Sequence, residues 1–207
     1  MKILSLSDVE LETMYSKDLK ERFPDIDAVI GCGDLPFYYL EYIVSALSVP
    51  LYYVNGNHAP RLIRSEKFMD HQPVCGVDLH HRVYRDCHGM IFAGVEGSLR
   101  YNRGQHQYTQ GEMWEIVLSM APRLMINRML YGKALDLFVT HAPPWQIHDQ
   151  NDLPHQGIKA FVWLNNVFKP RYHLHGHIHV YSQYTKILTE VGDTKVLNTY
   201  GYRVTEI

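Results

Sequence analysis

The chain has 207 residues, a formal net charge of −2 and 20% charged residues. That length fits one domain spanning 1–207 with a full-sized core, and the near-neutral balance excludes a strong field toward nucleic acid or a membrane surface. Three cysteines, Cys32, Cys75 and Cys87, are an odd number without paired spacing, which argues against a disulfide framework and for a reducing compartment.

Ile3–Leu6 reads as a first strand leading into Asp8. This apolar run ends too early for a secretory signal, and no stretch approaches the ~20 apolar residues of a membrane span. The expectation is a soluble cytoplasmic protein. Residues 15–23 read as a helix stopping before Pro24, and residues 25–30 as a second strand entering Gly31-Cys32-Gly33-Asp34. Pro36 opens a helix through Leu47, since proline suits the first helical turn. Residues 51–54 form a third strand ending at Asn55-Gly56-Asn57-His58. Strand, helix, strand, helix, strand implies parallel crossovers.

Residues 81–85 and 90–94 read as a hairpin around Asp86-Cys87-His88-Gly89. Residues 98–110 are a polar loop, and residues 112–130 a helix with Pro122 as a break or kink. Residues 135–139 form a strand ending near His141, followed by a polar loop over 147–157. Residues 159–168 are an amphipathic helix, and residues 172–174 a strand feeding Gly176-His177-Ile178-His179. The tail (184–190, 195–199, 202–206) reads as an antiparallel meander. The predicted architecture is a four-layer α/β/β/α sandwich: two mixed β-sheets flanked by helices, with ligands at the carboxyl ends of the strands.

Histidine is the compositional outlier, at 13 residues, and it is the commonest metal ligand. The candidate ligands are Asp8, Glu10, Asp34, Asn57, His141, His177 and His179. Carboxylate, amide oxygen and imidazole without thiolate suit Mn²⁺ or Fe²⁺, with Zn²⁺ as the alternative. The set is too large for one ion with an open position and about right for two, with Asp34 as a bridge. Asp8 and Asp34 also fit helix N-caps, but Glu10 and Asn57 in the same pattern weigh against coincidence. His71, His80, His81, His88, His106 and His148 read as ordinary surface or core residues, and His175 as packing behind the motif. Cys32 reads as a small buried residue at a strand end rather than a thiolate ligand.

Asp8-x-Glu10, Gly33-Asp34, Gly56-Asn57-His58, His141 and Gly176-His177-x-His179, in that order and each after a strand, resemble the calcineurin-like metallophosphoesterase superfamily. The resemblance runs from residue 8 to residue 179. It implies that Asp8, Glu10 and His179 hold a first metal, that Asn57, His141 and His177 hold a second, and that Asp34 bridges them. It further implies attack by a hydroxide between the metals, with His58 as general acid at the leaving oxygen. Two positions depart from the family pattern: Glu10 stands where a histidine is usual, and Ala59 where an acidic residue is common. Glu10 makes the first site harder, favouring Mn²⁺ or Fe²⁺.

Arginine forks match phosphate, so Arg100 and Arg103, with Tyr101 between them, are candidate substrate contacts. His155, in Asp152-Leu153-Pro154-His155-Gln156-Gly157, resembles a segment seen in small bacterial family members and is a third. Leu35-Pro36-Phe37 replaces the Asp-Arg-Gly of the protein-phosphatase and diadenosine-tetraphosphatase branches. No basic track supports a DNA nuclease. The size resembles the class III cyclic-nucleotide phosphodiesterases. The reading is a phosphodiesterase for a small or nucleotide-like ester. The alternatives are a phosphomonoesterase of a small metabolite, or an interaction scaffold like the retromer subunit that keeps this fold.

Overall fold

A computed structural model describes residues 1–58 and 76–207 of the chain; Ala59, His71 and Cys75 lie outside the described residues. The first half runs β1 (Lys2–Ser7), α1 (Leu19–Arg22), β2 (Ala28–Cys32), α2 (Phe37–Leu47), β3 (Leu51–Val54), β4 (Gly76–Asp78), β5 (Arg82–Arg85) and β6 (Ile91–Val95). It continues with β7 (Ser98–Leu99), β8 (Gln107–Tyr108), α3 (Gln110–Tyr131), β9 (Leu137–Thr140), α4 (Lys159–Phe168) and β10 (Tyr172–His175). β11 (Leu188–Val191), β12 (Thr194–Asn198) and β13 (Gly201–Glu206) complete it.

One sheet has the order β13-β1-β2-β3-β4, and the other β11-β12-β10-β9-β6-β5. The second is parallel in its middle and antiparallel at both edges, whereas the first is antiparallel only where β13 joins β1. Period-two side-chain alternation divides the strand residues among three cores. Leu4, Leu6, Val29 and Tyr53 face α1 and α2. Ile3, Ile30, Val54, Phe92, Leu137 and Leu174 face each other between the sheets. Ile91, Ala93, Val95 and Phe138 pack under α3 and α4. That is the α/β/β/α layering the sequence predicts. Among the described residues, no helix is long and apolar enough to cross a membrane.

Several elements differ from the sequence reading. The helix expected over 15–23 is a 3-10 turn at Glu12–Met14 followed by the short α1. α3 continues through Pro122, whose ring sits on the exposed side. Residues 98–110 contain the parallel ribbon β7–β8, ending in a capping box in which Thr109 and Glu112 satisfy each other's backbone N–H groups. The tail is not a meander. β11 and β12 form a hairpin in the second sheet, while β13 crosses to the first and pairs with β1 along its whole length. β-propensity marks these segments as strands but carries no information about which sheet supplies a partner.

Candidate metal centre

Five parallel strands end at one rim: β1 before Asp8, β2 before Asp34, β3 before Asn57, β9 before His141 and β10 before His177. Asp8 (φ 65°), Asp34 (φ 56°) and His177 (φ 66°) all take the left-handed conformation as the chain turns off its strand. Left-handed non-glycine residues store strain and gather where function demands a geometry.

The donor atoms of Asp34, His141 and His177 lie within 4.8 Å of one another. His141 Nε2 is 3.3 Å from Asp34 Oδ2 and 2.9 Å from Asn57 Oδ1. The other edge of each group is held. His141 Nδ1 meets the Cys32 carbonyl at 2.9 Å, so Nε2 faces the cluster. His177 Nε2 meets the Pro154 carbonyl at 2.8 Å, which leaves Nδ1 for the cluster. Asn57 Nδ2 donates to the Tyr101 hydroxyl at 3.2 Å, turning Oδ1 inward. Asp34 Oδ1 accepts the His58 backbone N–H at 2.9 Å, leaving Oδ2. Outer hydrogen bonds of this kind fix the tautomer and orientation of metal ligands. Two imidazole nitrogens, a carboxylate and an amide oxygen fit a divalent transition ion.

Glycines permit the crowding. A Cβ on Gly56 would collide with Asp34 Oδ1, and one on Gly33, itself at φ 95°, with His141 Nδ1. Only glycine fits at either place.

Burial and charge shape the ionisation. Burial opposes charge on both His141 and Asp34, but their mutual attraction outweighs it, raising His141 to about 9 and lowering Asp34 to about 2. Burial, reinforced by His141, lowers His177 to about 3, so its ring stays neutral. Asp8 is raised by burial. Its two oxygens accept the His177 backbone N–H at 3.0 Å each, joining the first sheet to the second beside the cluster.

The remaining predicted ligands point elsewhere. Exposed Glu10 accepts a hydrogen bond from the Tyr38 hydroxyl. His179 is also exposed; its Nδ1 is 2.8 Å from the Tyr181 hydroxyl, and its ring lies 4.9 Å from that of Tyr200. His58 is exposed beside Asp34.

No protein-family model and no curated protein matches the sequence. Solved structures do match. TT1561 of Thermus thermophilus is similar at a TM-score of 0.60 and 16% identity, covering 97% of this chain and 89% of that one. The likeness is one of fold, two mixed sheets flanked by helices. More loosely similar are a Vps29 single mutant from Entamoeba histolytica (TM-score 0.45, 13% identity, 100% and 86% covered) and an archaeal phosphodiesterase (0.43, 15%, 97% and 84%).

On this fold the candidate substrate contacts fall into different settings. Arg100 is engaged by Glu112, at 3.0 and 2.9 Å, and by the Gln107 carbonyl. Arg103 is exposed on the same loop. His155 pairs with Asp152 at 2.6 Å, and its ring lies 5.1 Å from that of His177, at the edge of the cluster. His175 is buried and bonded to His148 at 2.9 Å, and Cys32 is buried with its thiol pushed up to about 12.

Sequence reasoning missed three supports. The Cys32 and Pro154 carbonyls are backbone groups and carry no sequence signal. Tyr101 stood out only for its place between Arg100 and Arg103, yet its hydroxyl orients Asn57. The third is buried Glu96, which binds Asn55 at 2.9 Å, Tyr108 at 2.6 Å and His106 at 2.8 Å. It anchors the turn that leads to Asn57, and its partners are too scattered in sequence to suggest one another.

Proposed function

We propose that this protein is a metal-dependent phosphohydrolase, acting as a phosphodiesterase on a small or nucleotide-like ester. The observation that supports it most is the convergence of Asp34, Asn57, His141 and His177, each aimed inward by a second hydrogen bond. Divalent ions held by such a set supply an activated water and neutralise phosphoryl charge. The chain's own residues do the rest. His58 stands exposed at the rim, where an imidazole can donate a proton to a leaving oxygen. His155 lies beside His177 at the same opening and is suited to contact a phosphoryl oxygen.

A dinuclear centre needs Asp8, Glu10 and His179 as its other half. Filling that half requires Glu10 to leave Tyr38 and His179 to leave Tyr181. The two halves therefore differ in preorganisation, and the Asp34–Asn57–His141–His177 half binds first.

The test is metal content of the purified chain, followed by hydrolysis of bis-p-nitrophenyl phosphate with added Mn²⁺. Activity is expected, with collapse in Asn57→Ala and His141→Ala. Bound metal with no hydrolysis of any phosphoester, monoester or diester, would favour the scaffold reading instead.

A further inference from the structure

In the sequence His148 and His175 are ordinary histidines, yet their rings meet inside the protein. His148 Nδ1 lies 2.9 Å from His175 Nε2. His175 is fully buried, and its Nδ1 faces the Gly176 carbonyl at 2.9 Å. A carbonyl only accepts, so the His175 proton sits on Nδ1 and Nε2 offers a lone pair. His148 then donates from Nδ1, and its Nε2 accepts from the Thr189 hydroxyl at 2.9 Å. Burial keeps both rings neutral, with His175 lowered to about 3 and His148 to about 4. The hydrogen bonds therefore run one way, from Thr189 through His148 and His175 to Gly176.

That chain ends on the peptide that carries His177. The Gly176 carbonyl also accepts the Ile178 N–H at 2.8 Å, and the Gly176 N–H donates to the His141 carbonyl at 3.0 Å. The next residue, His177, holds a left-handed φ of 66°. Such a conformation persists only where its surroundings over-determine it.

The loop between β9 and α4 holds the other side of His177. Its ends are joined by the Pro144–Ile158 bridge. Gln146 and His148 are themselves left-handed, both at φ 61°, and the His148 ring is half-buried against β10 and β11. Asp149 accepts the Gly157 N–H at 3.0 Å, and the Gln150 N–H donates to the His155 carbonyl at 3.1 Å. These bonds couple the His148 end of the loop to the Pro154 end, whose carbonyl meets His177 Nε2 at 2.8 Å.

We infer that His148 is a positioning residue of the metal centre, setting His177 from two sides: at its backbone through His175 and the Gly176 carbonyl, and at its ring through the loop and the Pro154 carbonyl. The inference rests on the metal-centre reading above. Groups that orient a ligand without touching the ion tune its affinity.

The test is nitrogen-15 NMR of the histidine tautomers in the metal-free chain, joined to Mn²⁺ titration calorimetry. Wild type should carry the proton on Nδ1 of His148 and His175 and on Nε2 of His177. His148→Ala should leave His177 a mixture of both tautomers and weaken the tighter Mn²⁺ equivalent ~10-fold. Asparagine brings an amide N–H near the place of Nδ1 and tolerates a left-handed backbone, so His148→Asn should restore both. A residue serving only the fold would lower the melting temperature of His148→Ala and leave tautomer and affinity as in wild type. That result, a wild-type His175 proton on Nε2, or a folded His148→Asn that behaves like His148→Ala would each overturn the proposal. The wild-type tautomers are read whether or not the variants fold. If wild type binds no metal, the metal-centre reading fails, and the His177 tautomer in the two variants still decides this one.

Discussion

In the metal-free protein, His141 and Asp34 should make stability fall as pH rises from about 7.5 to 9. His141 is raised from 6.5 to about 9: burial opposes its charge, but Asp34 more than offsets that. A group whose folded value is raised stabilises fully below its unfolded value and loses that contribution as pH climbs through the folded one. Between 6.5 and about 9 the loss is on the order of 3 kcal/mol, at ~1.4 kcal/mol per tenfold. For a chain of this size each kcal/mol lost corresponds to a melting-temperature drop of about 2–4 °C. His177, His175, His173, His148 and His80 have lowered values, so their unfolded forms, half protonated at pH 6.5, add an opposing slope that has faded by about pH 7.5. His106 is raised by its bond to Glu96 and adds a slope of the same sign. A His106→Gln background therefore isolates His141. The assay is thermal melting in chelator, with and without Mn²⁺, from pH 7.5 to 8.5, where about 1 kcal/mol of the His141 contribution is lost, and short of the value 9.0 at which Cys32 ionises in the unfolded chain. Loaded protein should lose the slope, because an ion replaces the proton. A melting temperature in chelator that is flat or rises over this range in the His106→Gln background would refute the assigned His141–Asp34 pairing.

Tyr101→Phe frees the Asn57 amide and should weaken the tighter metal equivalent ~10-fold, read by titration calorimetry, with little change in melting temperature. Gly56→Ala, whose Cβ would collide with Asp34 Oδ1, should abolish metal binding and lower stability, both measurable by calorimetry. Metal titration should give two equivalents of unequal affinity, and Tyr38→Phe, which releases Glu10, should tighten the weaker one; a single equivalent in both proteins would sink the dinuclear reading. Arg100→Ala should leave KM for the model diester unchanged, because its guanidinium is engaged by Glu112 and Gln107.

The layering was readable because β2, β3, β6 and β9 are nearly continuous apolar runs, as in a parallel sheet covered on both faces. β3 and α4 fall where the pattern puts them, since Val54 gives way to Asn55 and Phe168 to Lys169-Pro170. The tail was misread because Asn198-Thr199-Tyr200-Gly201 looks like a hairpin turn. In the structure Thr199 instead bonds Ser7 and the His175 carbonyl, carrying the chain from one sheet to the other. The motif order brought Asp34, Asn57, His141 and His177 to attention, and these four meet. It could not reveal that Tyr38 and Tyr181 draw Glu10 and His179 aside, because both tyrosines act through contacts formed only after folding.

The pairing of β1 with β13 also bears on how the chain is made. β1 is flanked by β2 on one side and by β13 on the other, with Lys2 opposite Glu206 and Ser7 opposite Gly201. Until residues 201–206 leave the ribosome, one side of β1 is an open edge of unpaired N–H and C=O groups. Such an edge templates association with other chains. Asp8 sits at the end of that strand and waits for the His177 N–H, 169 residues later. The nascent protein therefore carries an aggregation-prone edge until residues 201–206 have been made, and a nonsense codon just before residue 201 would leave that edge exposed permanently.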